Sequence, residues 1–160
     1  MSRLHRPTLL KLTGLFLALS TTLAAQQPHA TDPVSLLHAD AQQRAAWASE
    51  WLHSDDPHLL AWGAWLAKQD RQTALIPLLN EKVAEYQPAE NFSSQSERDR
   101  HDALLAVLDA LIGLHAAVPA AEARKLYTEF PAQSLIFLVR SPQPDASALL
   151  DIARITKPLD

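Results

Sequence analysis

SDDPHLLAWGAWLAK, residues 54–68, decides the fold class. Asp56 can cap a helix, and Pro57 fits the first helical position, where its missing N–H costs nothing. From Pro57 to about Lys68 the segment is apolar nearly all round. That pattern predicts a helix sandwiched between neighbours rather than laid on a surface. The whole chain has three glycines, abundant Ala and Leu, and few β-branched residues, a composition that favours helix.

The pattern continues on both sides. Ala41 to Leu52 reads as a helix with Trp47 and Trp51 four positions apart. Asp70 to about Tyr86 reads as another, with Leu75, Ile76, Leu79, Val83 and Tyr86 on one stripe. Pro77 falls inside it, so this helix starts late, near Thr73, or kinks. QPAENFSSQ, residues 87–95, is a loop. From Ser96 to Ala117, Leu104, Leu105, Leu108, Leu111, Ile112 and His115 recur at helical spacing. Ser94-x-x-Glu97 and Ser96-x-x-Asp99 both have the form of a capping box. Three shorter helices follow over 119–129, 131–140 and 145–155, punctuated by Pro119, Pro131, Pro142 and Pro144. LIFLV, residues 135–139, is short enough to suit a strand or a buried helix. The expectation is an all-α fold of six to seven helices.

Residues 54–86, with LLAWGAWLA, an Asp-containing turn and then ALIPLL, resemble a unit of the HEAT helical-repeat family. In such units a first helix packs inward through Ala and Leu, and a second carries an ALxPLL-like run. The run Ala74–Leu78 recurs as Ala110–Leu114 and Ser134–Leu138, at offsets of 36 and 24, of which only the first suits a regular repeat. The resemblance implies a short, right-handed HEAT-like α-solenoid. An irregular helical bundle is the alternative. The last residues, ALLDIARITKPLD, stay apolar through Leu149, Leu150, Ile152 and Ile155. They either dock on the body or await neighbours, as in a fragment of a longer solenoid.

The N-terminus reads as a leader. Arg3, Arg6 and Lys11 precede the apolar run Leu12–Leu19 and the small residues up to Ala25, with no acid before Asp32. This is the layout of a signal peptide, residues 1–25, ahead of a helical domain over 26–160. The run is too short for the roughly 20 apolar residues of a membrane span, so no stable anchor is expected after cleavage. The destination is the periplasm or the exterior of a bacterial envelope. Removing those residues takes three of 14 bases and none of 18 acids, leaving a mature charge near −7. Such a surface repels phosphate backbones, and nucleic acid is not an expected partner. With no cysteine, the domain relies on its core alone.

Candidate chemistry is sparse. His53, Asp55 and His58 bring imidazole and carboxylate together in the turn before Pro57, a mixture that suits zinc or similar metals. The spacing crosses a helix end and a helix start, and an exposed polar turn is the plainer reading. His101-Asp102 resembles the dyad of HD-type phosphohydrolases, without a second His/Asp pair on another helix. No Gly-x-Ser-x-Gly elbow or Gly-rich phosphate loop occurs. No cofactor and no catalysis are expected. Tryptophans are frequent binding anchors, and Trp51 and Trp65 are the candidates for gripping a partner. The sequence therefore points to an exported helical scaffold or adaptor that binds protein. A small-ligand or metal-binding accessory protein of the envelope is the alternative.

Overall fold

A computed structural model describes residues 38–88 and 92–141, together with Leu36, Ala146, Leu149 and Leu150. Among these residues the fold is all-α, with no strand. The helices are α1 (Ala41–Leu52), α2 (Pro57–Gln69), α3 (Ile76–Glu85), α4 (Gln95–Gly113), α5 (Ala120–Lys125) and α6 (Pro131–Arg140). The leader and most of the segment expected as a helix over 145–155 lie outside the described residues. Ala146, Leu149 and Leu150 are helical, and Leu149 packs against the core.

Local chemistry sets the boundaries. Asp40 accepts the Gln43 N–H at 2.8 Å, while the Gln43 side chain takes the Asp40 N–H, a capping box that opens α1. Asp56 accepts the His58 N–H at 2.9 Å, with Pro57 in the first turn of α2. Ser94 and Glu97 form the capping box of α4. Ser96 and Asp99 do not form one, because Ser96 already lies within the helix. Pro77 is absorbed without a kink. A 3₁₀ turn, Thr73–Leu75, leads into α3, so the proline falls in the first helical turn.

Two helices end alike. Arg71 and His115 adopt left-handed backbone, with φ of 50° and 54°. The N–H two positions beyond each helix's C-cap reaches five residues back, Gln72 to Ala67 and Ala116 to Leu111, both at 2.9 Å. These are Schellman closures, which satisfy the last carbonyls of a helix. The second closure ends α4 at Gly113, four residues short of the expected Ala117. It also leaves His115 exposed instead of on the apolar stripe. The segment expected as a helix over 119–129 is helical only over Ala120–Lys125. Beyond it, tighter bonds such as Tyr127 N–H to Arg124 O and Glu129 N–H to Leu126 O turn the chain. Both Leu126 and Phe130 are thereby buried.

The helices assemble as pairs whose second members lie side by side. α1 and α2 are antiparallel, since Arg44, early in α1, meets Asp70, after α2, at 2.8 Å. α3 runs against α4, with Asn80 Nδ2 donating to Ala117 O at 3.3 Å, beyond the far end of α4. α5 packs on α6. α2 and α4 are parallel, because His58 faces Asp99 at 4.0 Å near their starts and Lys68 faces Asp109 at 3.4 Å near their ends. α4 and α6 are parallel too, with the His101 ring stacked on Phe130 and Arg140 donating to Ile112 O at 3.3 Å. α2 and α3, the two helices within residues 54–86, barely touch. The pairing therefore begins one helix earlier than the sequence match places it.

These contacts align 58 with 99 and 68 with 109, a shift of 41, then 101 with 130 and 112 with 140, a shift of 28 to 29. The recurring runs at offsets 36 and 24 fall at unlike places. One straddles the 3₁₀ turn and α3, one ends α4, and one lies in mid-α6. LIFLV is helical.

Two apolar clusters hold the array. The larger joins Ala64 and Ala67 of α2, Leu79 and Val83 of α3, Leu104, Leu108 and Leu111 of α4, and Phe137 and Leu138 of α6. The smaller sits between α1 and α2, with Trp47, Ala48, Trp51 and Leu66. Each buried leucine contributes about 1.5–3 kcal/mol relative to exposure. α2 serves both clusters and is the centre of the fold.

Candidate functional site

The sequence predicts a central helix sandwiched between neighbours, but one face of it is open. His58, Trp62, Trp65 and Gln69 recur at spacings of four, three and four, so they share one outer face, and all four are exposed. Trp62 is 41% and Trp65 44% exposed. Their rings meet edge to face with centroids 5.5 Å apart, at 84°. An edge-to-face pair of this kind is worth about 0.5–1.5 kcal/mol, and here it leaves apolar surface in solvent. The neighbouring face of α4 contributes exposed Asp102 and Asp109, the latter beside Lys68.

The four tryptophans thus divide cleanly. Trp47 and Trp51 stack at 5.9 Å, nearly parallel, and are 5% and 6% exposed. The expectation that Trp51 grips a partner is corrected by this burial: its ring fills the α1–α2 interface and offers no free face. Trp65 stands where a partner could reach it. Trp62, which the sequence reading did not single out, stands with it. The helical period could have found it, because Trp62 and Trp65 lie opposite Ala64, Ala67 and Leu60 on a turn of 3.6 residues.

The candidate metal ligands His53, Asp55 and His58 do not converge. His53 Nδ1 is 2.7 Å from Ser49 O, tying that ring back onto α1. His58 faces Asp99 of α4 at 4.0 Å, and Asp55 lines a cleft between α2, α3 and α4. Among the described residues, no three His, Asp or Glu side chains are placed to hold an ion. His101 Nδ1 lies 3.3 Å from Asp102 Oδ1. The ring is otherwise held by aromatics, stacked on Phe130 at 4.4 Å and meeting Phe92 edge-on at 4.9 Å. That geometry locks the imidazole as a packing element of the α4–α6 contact.

The same end of the molecule carries two perturbed groups. Tyr86 donates to Glu129 Oε2 at 2.6 Å. Burial first, and that hydrogen bond second, push the phenol well above its usual range, while Arg100 pulls the other way. Glu97 accepts from the Ser94 N–H and from the Ser94 and Ser93 hydroxyls, at 2.8–3.0 Å. Those bonds, the backbone one foremost, hold its carboxyl below the ordinary value. Both groups fix the start of α4 and the end of α3 in place. No helix among the described residues is long and apolar enough to cross a membrane. The chain matches no protein-family model, no curated protein and no solved structure.

Proposed function

We propose that this chain is an exported helical scaffold or adaptor, without chemistry of its own, that binds a protein partner through the outer face of α2. One observation carries the reading. A helix at the centre of the fold leaves two adjacent tryptophans 41% and 44% exposed, although the same chain buries its other two. Adjacent exposed aromatics are uncommon on a surface that needs only solubility, and Trp is enriched where binding energy concentrates. The arrangement of the helices supports the reading further. Helix pairs whose second members, α2, α4 and α6, run parallel resemble the organisation of HEAT-like arrays, whose role is usually to present an extended binding surface. Envelope residence rests on the leader-like residues 1–25, outside the described structure.

The test is affinity capture from envelope extract with the tagged chain and with a Trp62→Ser/Trp65→Ser variant. The expected result is one protein enriched by the parent and lost with the variant, at an unchanged unfolding midpoint. Loss of two anchoring rings worth about 2 kcal/mol or more each reduces affinity far beyond ten-fold. Identical capture by both proteins would overturn the assignment of this face.

A further inference from the structure

The cleft at the starts of α2 and α4 has a chemistry of its own. It is an open hollow of about 190 Å³ where the α1–α2 loop, α2, the end of α3 and α4 meet. Its apolar wall is Pro57, Leu60, Ala103 and Leu104. Most of the charges around it are committed. Lys82 Nζ lies 2.9 Å from Glu85 Oε2, and the Tyr86 hydroxyl is taken by Glu129. In the adjoining hollow, which shares Glu85, Tyr86 and Arg100, Glu97 is engaged by Ser93 and Ser94.

Two charges are not committed. Asp55, on the loop, and Arg100, on α4, both line the cleft, and neither side chain has a hydrogen bond or ion pair among the described residues. They also stand farther from each other than an ion pair allows. A carboxylate and a guanidinium facing one apolar-walled space without bridging it leave room for something bearing both charges. Ser54 Oγ, at the Asp55 end, accepts the Asp56 N–H at 3.1 Å and keeps a second lone pair free.

We propose that this cleft binds a small zwitterion with an apolar side chain, of the chemical class of an apolar α-amino acid. Its ammonium sits against Asp55 and Ser54, its carboxylate takes the planar fork of Arg100, and its side chain lies on Leu60 and Leu104. A guanidinium fork matches a carboxylate with two parallel hydrogen bonds, which a lone ammonium cannot do. The space is comparable with the roughly 150 Å³ cavity that takes up benzene, the scale of a ligand with about six to nine heavy atoms. For so small a ligand the affinity is on the order of millimolar.

The test uses the full 160-residue chain and methyl NMR, with L-leucine, leucinamide and N-acetyl-leucine as probes. L-leucine is expected to shift the Leu60 and Leu104 methyl signals saturably. Leucinamide, without the carboxylate, and N-acetyl-leucine, without the ammonium, bind at least ten-fold more weakly. Arg100→Gln weakens L-leucine at least ten-fold and leaves leucinamide unaffected. Asp55→Asn weakens L-leucine and leaves N-acetyl-leucine unaffected. Both altered side chains are exposed, and an unchanged unfolding midpoint shows that the fold is retained. The proposal is overturned by the absence of saturable shifts, by equal affinity for the three probes, or by an Arg100→Gln protein that binds L-leucine like the parent.

Discussion

Gly63→Ala is the sharpest probe of how the array closes. A Cβ at position 63 would lie 2.9 Å from Leu52 N, 3.0 Å from Ala48 O and 3.1 Å from Leu52 Cγ. The first two atoms are the donor and acceptor of one turn of α1, and neither can move without moving the helix. α1 and α2 must therefore separate by several tenths of an ångström at their crossing. Trp47, Trp51 and Leu66, packed across that interface, lose contact in proportion. Overpacking costs about 1–3 kcal/mol, and with two backbone atoms in the way the upper half of that range, about 2–3 kcal/mol, applies here. Against it stands the helix propensity of Ala over Gly, about 1 kcal/mol. The net expectation is a loss of about 1–2 kcal/mol. At position 113 the same substitution meets only the Lys68 stem, at 3.0–3.2 Å, which can swing aside, so Gly113→Ala is expected to be neutral or slightly stabilising. Urea unfolding followed by tryptophan emission distinguishes the two. With a slope of about 1–3 kcal/mol per molar, the midpoint of Gly63→Ala falls by roughly 0.5–1 M, while that of Gly113→Ala holds or rises. A Gly63→Ala protein as stable as its parent would refute the close approach of α1 and α2 through this residue.

Further outcomes follow from the same contacts. Trp51→Ala is expected to cost about 3 kcal/mol or more, as buried aromatic truncations do, whereas Trp65→Ala costs under about 1 kcal/mol; paired urea titrations read both. Arg71→Gly and His115→Gly are each expected to raise the melting temperature by a few degrees. A side chain in left-handed backbone costs roughly 1–2 kcal/mol, of which glycine's greater freedom when unfolded returns about half. Tyr86, its phenol raised in the folded state, contributes stability that is whole below the unfolded value near pH 10 and declines as pH rises past it. Tyr86→Phe removes that alkaline decline, which pH-dependent unfolding midpoints measure.

Where the sequence legibly foretold structure, it did so through local chemistry. Asp56-Pro57, Ser94-x-x-Glu97 and Pro131 each fixed a helix start, because a capping oxygen or a proline acts within four residues of itself. The ends were harder. The left-handed residue that closes α4, just past its C-cap, is His115 where glycine is usual, and a non-glycine residue carries no signal for that conformation. Helix pairing was harder still. Apolar residues around α2 announce burial without naming the neighbour, and ALIPLL suggested α3 where the fold supplies α1 and α4. Exposure was misread for the same reason. Trp62 and Trp65 are as apolar as Trp47 and Trp51, and only the three-dimensional arrangement separates anchor from core. Asp55 and Arg100, 45 residues apart in sequence, had nothing to join them until α2 and α4 were seen to run parallel.

That parallel row poses an electrostatic problem, and the sequence answers it. Helices lying side by side in one direction align their dipoles unfavourably, gathering partial positive charge at one end of the row and negative charge at the other. Acids stand at the positive end, with Asp56 capping α2 and Glu97 in the first turn of α4. At the opposite end α2 carries Lys68 and α6 carries Arg140, but the last turn of α4 has no base of its own. Its neighbours provide them. The Lys68 stem lies over Gly113 with its ammonium on Asp109, and Arg140 donates to the carbonyl of Ile112. The middle helix is therefore neutralised from both sides by the helices it would otherwise repel. Each contact holds only if the three run in the same direction, so the charges that relieve the dipoles also select the parallel arrangement on which the exposed tryptophan face and the cleft depend.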